Sequence, residues 1–422
     1  MKRRELLSSM ATLGTGLVLL PHMAAAATTA ATGESLQVAV VGLKRGMDHV
    51  KALLKLPGVS IKYVAETDEG RLAKGMKTIS ETQKEPCKGV TDFRTFLEDK
   101  DLHAVFIATP NFWHTPAALL CMAAGKHVYV EKPGSHNPRE AEMIVESARK
   151  YDRLCQMGNQ RRSWPGVVEG IAKLHDGAIG KVRYGKAWYD ASRKTIGKRA
   201  QPPEGKLDLN LWQGPVPERE DVMDYVHYDW HWRTHYGNGE LANNGVHSLD
   251  VVRWGLGVDH PSQVSYLGGR YWFDDKQEFP DSGSAIYDFG HCGASWEQSS
   301  CHPSSVEKHA TCAFYGEGGS MYVIGGKCVF HDEKGVKTSE TEGPAGDPDH
   351  IGNFLDAIRG KAKLNSEIEV GQTSAMLCHL GNIAFRTGTV VRFDPKAKKL
   401  IGNPEGEKLW AREYRKGWDA KV

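Results

Sequence analysis

Short apolar runs alternate with amphipathic stretches through the first third of the chain. A helical pattern with apolar Val50, Leu53 and Leu54 begins after the first apolar run and ends at Pro57-Gly58, a stop signal for helices. Further helices are predicted from Pro116 to Gly125 and from Asn137 to about Asp152, and the apolar runs predict strands at Leu36–Val41, Val59–Ala65, Ala104–Ala108 and His127–Val130. Because strands and helices alternate, residues 34–155 are expected to form a parallel, doubly wound sheet of the α/β class.

Beyond about residue 156 the sequence becomes richer in strand-forming runs. These runs predict strands at Val182–Tyr189, Val264–Phe273, Ala285–Phe289, His309–Tyr315 and Ser320–Ile324. Helical spacing returns at Leu249–Leu256, Asp349–Arg359 and Gln372–Thr387. We therefore expect a second domain over residues 156–422, of the α+β class and with one largely antiparallel sheet.

Residues 1–27 read as an export signal. A Lys-Arg-Arg start precedes an apolar stretch, and four alanines at positions 24–27 supply small residues for cleavage. A membrane anchor is the alternative, but two glycines and Pro21 interrupt the stretch, which is shorter than the roughly 20 residues that span a bilayer. Arg3-Arg4 resembles a twin-arginine signal, which exports proteins already folded. We expect a periplasmic or secreted protein whose mature form has no membrane span.

Composition narrows the class of partner. The chain has 54 Lys and Arg against 52 Asp and Glu, a net charge of +2 that the export signal supplies alone. The rest of the chain is electrically neutral and has no cluster of basic residues that could bind a phosphate backbone. Nucleic-acid binding is therefore not expected, and a small-molecule partner is. Eight cysteines are too few for a disulfide scaffold in 422 residues. Export would permit bridges among Cys292, Cys301, Cys312 and Cys328, and buried free thiols are the alternative.

The turn after the first strand suits a dinucleotide. Gly42 follows the strand and Gly46 opens the helix, so backbone amides there can face a pyrophosphate without an obstructing Cβ. Lys44 takes the place of the second glycine of G-x-G-x-x-G, and an ordinary tight turn is the alternative. Glu66 ends the second strand, where a carboxylate accepts ribose hydroxyls and repels a 2′-phosphate. NAD is therefore favoured over NADP, although Lys44 and Arg45 near the adenosine end could tolerate that phosphate.

Three further segments carry a family resemblance. Residues 108–114 read Ala-Thr-Pro-Asn-Phe-Trp-His, residues 131–133 read Glu-Lys-Pro, and residues 239–250 read Gly-Glu-Leu-Ala-Asn-Asn-Gly-Val-His-Ser-Leu-Asp. Together with residues 353–358 and 381–384, they resemble the glucose-fructose oxidoreductase and inositol dehydrogenase family, Gfo/Idh/MocA, over nearly the whole mature chain. The resemblance implies a Rossmann domain that binds NAD and homo-oligomers that pair through the open face of the second sheet. The expected cofactor contacts are Gly42, Lys44, Arg45, Gly46, Glu66, Thr109, Pro110, Asn111, His114, Glu131, Lys132 and Gln160.

The resemblance also implies which residues handle protons. It places Glu131 and Lys132 beside the nicotinamide, where a partly desolvated ammonium can stabilise an alkoxide; a solvated surface lysine is the alternative. His247 corresponds to the family's proton-handling His or Tyr, and a satisfied structural histidine is the alternative. Asn243, four residues earlier, stands where many of these dehydrogenases carry Asp. Asparagine can position a hydroxyl but cannot take up a proton, so we include Lys132, His247 and Asn243 as catalytic candidates.

The aromatic segment at residues 227–236 has the composition of a sugar-binding loop. Seven of the eleven tryptophans fall between residues 188 and 296, and aromatic rings can stack on a pyranose while polar heads bind its hydroxyls. His227, His231 and His235 are spaced by four, which on a helix could align metal ligands. Trp-rich, Gly-flanked sequence argues against a helix there, so no metal is expected. The expected substrate contacts are Arg161, His231, Trp232, Tyr236 and His247.

Export constrains the reaction. A protein carried out folded would bring tightly bound NAD with it, so each turnover must return the cofactor to its starting state. In our first hypothesis the protein is an NAD-dependent oxidoreductase that oxidises a sugar hydroxyl and then reduces a second carbonyl at the same site.

Two other functions stay open. In a redox-neutral glycosidase, transient oxidation acidifies a neighbouring C–H bond, the aglycone leaves and water adds, without the usual pair of carboxylates. Residues 228–250 look like the substrate segment of secreted NAD-dependent α-N-acetylgalactosaminidases, although that branch typically lacks the lysine of Glu-Lys-Pro. A non-catalytic carbohydrate-binding protein is the third hypothesis, which Asn243 allows and the intact Glu131-Lys132-Pro133 opposes.

Overall fold

The structure is a computed structural model that describes residues 35–197, 202–302 and 310–422. The export signal predicted at residues 1–27 lies outside the described residues, as does His309, the first residue of one predicted strand. Within the described part, the chain forms two β-sheets with helices packed against them.

The first sheet is parallel throughout and carries helices between its strands. Its strands are β1 (Leu36–Val41), β2 (Val59–Ala65), β3 (Lys88–Val90), β4 (Ala104–Ile107), β5 (His127–Val130) and β6 (Cys155–Met157). The connecting helices are α1 (Gly46–Leu53), α2 (Glu69–Ser80), α3 (Asn111–Ala123) and α4 (Pro138–Lys150). The strand order β3-β2-β1-β4-β5-β6 confirms the predicted doubly wound sheet.

Both faces of this sheet are buried. The even-numbered residues of β1 join one apolar cluster, whereas Ala39 and Val41 join another, because successive side chains point to opposite faces. The first cluster also contains side chains of α8 (Pro348–Ile358), namely Ile351, Phe354 and Leu355. A helix from the second half of the chain therefore covers the first sheet.

The second sheet confirms the predicted antiparallel pattern, with one exception. Its strands are β7 (Val182–Asp190), β8 (Gln263–Gly269), β9 (Ser282–Asp288), β10 (Gly293–Ser299), β11 (Cys312–Gly316), β12 (Gly319–Ile324), β13 (Lys327–His331), β14 (Lys337–Glu342), β15 (Val391–Asp394) and β16 (Lys399–Leu400). Their order is β14-β13-β12-β11-β7-β10-β9-β8-β15-β16, in which only the β7 and β10 neighbours run parallel. Helices α5 (Pro165–His175), α7 (Val246–Leu256) and α9 (Ile368–Thr387) pack against it, and α6 (Leu209–Gln213) and α10 (Pro404–Glu407) are short.

Three predicted helix starts are wrong. Helix α9 begins at Ile368, four residues before the predicted Gln372, and the other two starts lie at the site described below. Helix α3 begins at Asn111, not at Pro116, which sits inside the helix. A proline cannot donate to the carbonyl four residues earlier; here that carbonyl, of Phe112, accepts from Arg412 Nη2 at 2.6 Å. Helix α7 begins at Val246, three residues before the predicted start, and follows a π-helical turn at Leu241–Gly245. Such turns occur often at functional sites.

The cysteines form no disulfide in the described residues. All eight cysteines lie in that part of the chain, and all eight are free thiols. Cys312 on β11 and Cys328 on β13 both face Val323 of the intervening β12. Two strand spacings separate their Cα atoms by roughly 9 to 10 Å, beyond the reach of about 7 Å that a disulfide allows.

Hydropathy gives one further result. Among the described residues, no helix is both long enough and apolar enough to cross a bilayer.

Candidate active site

A cavity of about 350 Å³ lies at the carboxyl ends of the parallel strands. The loops after β1, β2, β4 and β5 form one wall, and the second half of the chain forms the other, through His227, Tyr228, Trp230, His231, Asn243 and His247. Ligands of doubly wound sheets bind at this edge. Of the predicted site residues, the cavity is lined by Gly42, Lys44, Arg45, Glu66, Thr109, Pro110, Asn111, His114, Glu131, Lys132, His231, Asn243 and His247.

The turn after β1 requires glycine. Gly42 has φ +85°, and a Cβ there would lie 2.7 Å from the Ala108 carbonyl oxygen. Gly46 was also predicted to contact the cofactor, but it does not line the cavity. A Cβ on Gly46 would lie 2.9 Å from Val40 Cγ1, so this glycine allows α1 to pack closely on β1.

Backbone amides fix the carboxylate of Glu66 at the end of β2. It accepts from the amides of Leu43 at 2.7 Å, Thr67 at 2.8 Å and Asp68 at 3.2 Å. The Thr67 hydroxyl donates to Oε1 as well, at 3.3 Å. Three of the four donors therefore share Oε1, whereas Oε2 accepts only from Leu43 and can still accept a hydroxyl group from a ligand in the cavity.

Arg45 is bound at the other end of the cavity. Its Nε lies 2.9 Å from Glu131 Oε1, and its Nη atoms donate to both carboxylate oxygens of Asp347 at 2.6 and 2.9 Å. Asp48 also accepts from Nη1 at 3.0 Å. The charge of Arg45 is thus already compensated by three carboxylates, which removes the reason for expecting this residue to accommodate a 2′-phosphate. Lys44, by contrast, is exposed at the cavity.

Glu131 is buried and saturated with donors. Besides Arg45, its Oε1 accepts from His49 Nε2 at 2.9 Å and from Gln160 Nε2 at 3.3 Å. Burial alone would raise the pKa of Glu131, but Arg45, His49 and Lys132 hold it well below its usual value. Glu131 is therefore an ionised anchor. Gln160 supports this anchor from outside the cavity lining.

Lys132 is held by the π-helical turn from the second half. Its Nζ donates to the Asn243 carbonyl at 2.6 Å and lies 3.3 Å from Asn243 Oδ1. Burial lowers the pKa of Lys132, and nearby Glu131 partly opposes that shift. The ammonium is thus neither a solvated surface group nor part of a close ion pair.

Neutral imidazoles surround this ammonium. His114 donates from Nε2 to the Thr109 carbonyl at 2.8 Å, and His231 donates from Nδ1 to the Tyr228 carbonyl at 2.6 Å. Burial lowers the pKa of His114 to about 4 and that of His231 to about 3. Burial and the charge of Lys132 also hold the pKa of His247 well below its ordinary value. At neutral pH each ring is uncharged, and its unprotonated nitrogen can accept a hydrogen bond.

A buried ion pair orients Asn243. Arg193 Nε lies 2.6 Å from Glu240 Oε2, and Glu240 Oε1 accepts from Asn243 Nδ2 at 3.4 Å. Because Nδ2 faces Glu240, Oδ1 faces Lys132. Sequence reasoning missed Arg193, Glu240, Asp347 and His49. Two of them left a signal. His49 lies four residues after Arg45 and so on the same helical face, and Glu240 stands in the motif of residues 239–250.

Three predicted substrate residues do not line the cavity. Tyr236 is fully buried, and its hydroxyl donates to Gln213 Oε1 at 3.0 Å. Trp232 is also buried and lies under the Arg193 guanidinium at 4.8 Å. Arg161 lies 5.2 Å from the Trp164 ring centroid. In a segment rich in aromatic residues, the sequence does not distinguish rings that belong to the core from rings that face a ligand.

The three histidines spaced by four, His227, His231 and His235, do not come together as a set of metal ligands. His227 Nε2 lies 3.0 Å from Asp68 Oδ2, whereas His235 Nε2 donates to the Pro217 carbonyl at 2.7 Å and lines a different cavity. His231 belongs to a short 3₁₀ turn at Asp229–Trp232. Across the described ranges no group of three His, Cys, Asp or Glu side chains could hold a metal ion.

The residues present fit a dinucleotide. Thr109 Oγ1 and His114 Nδ1 line the cavity as buried atoms without a hydrogen-bond partner in the described chain. Such atoms are costly unless a ligand or water satisfies them. The same cavity contains the glycine turn after β1 and the carboxylate of Glu66 after β2. In Rossmann domains such a turn binds the pyrophosphate and such a carboxylate binds the ribose.

Fold and site together define an oxidoreductase with an NAD-binding Rossmann domain. Residues 36–159 match the description "Oxidoreductase family, NAD-binding Rossmann fold", and residues 314–420 match "Oxidoreductase family, C-terminal alpha/beta domain". The chain belongs to the Gfo/Idh/MocA oxidoreductase family, as its motifs indicated.

Relatives and solved structures extend this result. The chain is 31% identical over 208 residues to a glycosyl hydrolase family 109 protein of Saccharopolyspora erythraea, covering 44% of this chain and 45% of that protein. It is 26% identical over 263 residues to an α-N-acetylgalactosaminidase of Shewanella oneidensis, covering 58% and 51%. The chain thus spans about half the length of these curated relatives. A levoglucosan dehydrogenase solved with NADH and levoglucosan shares the fold, with TM-score 0.68, 17% identity and coverage of 85% and 99%.

Proposed function

We propose that this protein is an NAD-dependent oxidoreductase that acts on a hydroxyl of a sugar or sugar derivative. The observation that carries the proposal is one cavity that presents a half-buried ammonium, Lys132, on one wall and an uncharged imidazole, His247, on the other. When bound, NAD supplies the ring that takes a hydride from a carbon atom or returns it. The roles below belong to the chain's own side chains.

Lys132 and His247 divide the work on the hydroxyl. The depressed pKa of His247 leaves its ring neutral at pH 7, so it can take the hydroxyl proton. The Lys132 ammonium has three donors, and the carbonyl and side-chain oxygens of Asn243 accept two of them. The third is free to donate to the substrate oxygen, where it stabilises developing negative charge in a site shielded from water.

The remaining lining suits a carbohydrate. His231 stacks on Trp230 with ring centroids 3.7 Å apart, and its Nδ1 is used by the Tyr228 carbonyl. Its Nε2 is therefore the acceptor face of a neutral ring, able to bind a sugar hydroxyl. Trp230 and Tyr228 add apolar surface to the same wall. The relatives named above also act on carbohydrates by name, which supports this substrate class.

Redox-neutral glycoside cleavage is the second candidate, and the names of the curated relatives favour it. In that scheme Lys132 and His247 act first as above, and the aglycone leaves after the sugar is oxidised. Direct hydrolysis would instead need a protonated carboxyl as general acid. Glu131 does not meet this need, because its pKa is held well below the usual value.

Export bears on how NAD is used. We propose that the chain leaves the cytoplasm folded, by the twin-arginine route, with NAD already bound. Both schemes then restore the cofactor within each catalytic cycle. Assembly through the open face of the second sheet belongs to the same proposal.

One experiment separates these functions. Purified protein is denatured, released NAD is quantified per chain, and native protein is then mixed with sugars or with p-nitrophenyl α-N-acetylgalactosaminide while absorbance at about 340 and 400 nm is followed. Reduction of bound NAD by a free sugar supports the oxidoreductase. Nitrophenol release without net reduction selects the glycosidase. Absence of both signals across the panel, with sugar binding retained, would leave only a binding protein.

A further inference from the structure

A second cavity of about 390 Å³ lies near the loop that carries Lys132 but shares no lining residue with the first. Its walls include His136 and Asn137 from that loop, Asn382 and Arg386 from α9, and Arg412 from the C-terminal segment. The mechanism above uses none of these five residues.

Several residues that line this cavity carry buried polar atoms without a hydrogen-bond partner in the described chain. His136 has both ring nitrogens buried without a hydrogen-bond partner, and Asn137 Nδ2, Asn382 Oδ1 and Arg412 Nη1 are in the same state. Asn137 and Asn382 are only 6% and 7% exposed. Each such atom destabilises the fold when nothing binds it. Their convergence on one cavity indicates a polar ligand.

The charges around this cavity favour an anion. Four cations line it, Arg219, Arg386, Lys408 and Arg412, against two acids, Glu278 and Glu413. Asp221, Glu405 and Glu140 compensate three of the cations. Arg386 makes no side-chain hydrogen bond or ion pair within the described residues. Burial lowers its pKa, and the charge of Glu278 in the same cavity partly opposes that shift. The charge of Arg386 at the rim is therefore available to a ligand.

We propose that this second cavity binds a small oxyanion, a carboxylate or a phosphate, through Arg412 and Arg386. His136 and Asn137 supply further donors from the loop, and Asn382 Oδ1 can accept a hydroxyl of the same ligand. The volume lies within the range of small-molecule sites. A hydroxylated acid the size of a sugar acid would offer a carboxylate to the two arginines and hydroxyl groups to Asn382 and the loop donors.

NAD-loaded protein is the material for the test, because a bound dinucleotide already fills the anion-binding turn of the first cavity. Calorimetric titrations use inorganic phosphate, gluconate and, as the uncharged match for gluconate, sorbitol. We expect phosphate, gluconate or both to bind, and sorbitol to bind at least tenfold more weakly. Whichever anion binds more tightly identifies the ligand class. Lack of binding by both anions up to about 10 mM, or equal binding by sorbitol, would overturn the proposal.

Two variants locate the bound anion. Arg386→Gln should weaken binding at least tenfold, whereas Arg392→Gln, an exposed arginine on β15 outside both cavities, should leave it unchanged. His136→Phe removes only unpartnered ring nitrogens, so without ligand its melting temperature should equal or exceed that of the parent. With ligand, its anion affinity should fall at least tenfold. Affinities of both variants equal to that of Arg392→Gln would place the anion elsewhere and refute the site.

Discussion

The two ends of the main cavity are built in different ways. At the Glu66 end, a single carboxylate is fixed by the backbone amides of Leu43, Thr67 and Asp68, and two of these three are its neighbours in sequence. At the Lys132 end, the ammonium is held by Asn243, 111 residues away, which is oriented in turn by Glu240 and Arg193. The first end needs only a correct local fold, whereas the second needs both halves to be docked.

Within the Lys132 end, two neighbouring residues differ in charge balance. Glu131 receives compensating donors from Arg45, His49 and Gln160. Lys132, one residue later, is held by neutral oxygens and surrounded by neutral rings. A saturated anion is suited to anchoring, whereas an incompletely satisfied ammonium is suited to bind a developing negative charge. From this contrast we assign a structural role to Glu131 and a role in the reaction to Lys132.

The largest expected effect comes from removing the ammonium. Lys132→Met should lower turnover about 10³-fold, since it deletes a donor to the charged oxygen. Bound NAD should be retained, because Glu66 and the glycine turn are untouched. Rapid-mixing absorbance at about 340 nm measures the rate. Lys44→Met is the matched control, as Lys44 is an exposed lysine of the same cavity. Equal rates in the two variants would remove Lys132 from the chemistry.

The next prediction concerns the packing of the second half of the chain, which supplies Asn243 and His247 to the Lys132 end. Helix α7 carries His247 and also Asp250, which binds Arg162 twice at 2.8 Å and accepts from Ser374 Oγ at 2.6 Å. Asp250→Asn leaves a buried guanidinium uncompensated, so the free energy of unfolding should fall by about 3 kcal/mol. Urea denaturation measures it. Asp259→Asn is the control, since Asp259 pairs with Arg253 but its side chain is 85% exposed. A similar small change in both would mean that this pair does not stabilise the fold.

A smaller effect is expected at the Glu66 end. Glu66→Gln removes the negative charge that would repel a 2′-phosphate but keeps the side-chain length. The preference for NAD over NADP should fall about tenfold, as measured by the ratio of dissociation constants. Turnover with saturating NAD should change little, because Lys132 and His247 are unaltered. An unchanged ratio would show that Glu66 does not select the cofactor.

The smallest effect should appear in the pH profile. Burial lowers the pKa of Lys132 in the parent. Asn243→Asp would place a carboxylate about where Oδ1 now lies, 3.3 Å from Nζ, which favours the ammonium and raises that pKa. The loss of activity on the alkaline side should therefore move to higher pH. Asn403→Asp adds the same charge at the start of α10, where Asp caps equally well, and should not move it.

Sequence reasoning succeeded where a signal was local. The strands that end just before Gly42 and Glu66 follow from short apolar runs and turn residues, and the structure has them at the predicted bounds. The start of α3 could not be read, because the carbonyl that Pro116 leaves free is satisfied by Arg412, about 300 residues later. Arg193 and Asp347 likewise reach the cavity region only through tertiary packing. Tyr236 shows the converse, an aromatic residue in a binding-like segment that belongs to the core.

A structure of the protein with NAD and a reacting sugar tests the central assignment most directly. The distances to measure join the oxygen on the reacting carbon to Lys132 Nζ and to the nearer ring nitrogen of His247. We predict both to lie within hydrogen-bond distance, about 2.6 to 3.2 Å. A sugar whose reacting oxygen lies beyond reach of both side chains, at full activity in the crystal, would contradict it.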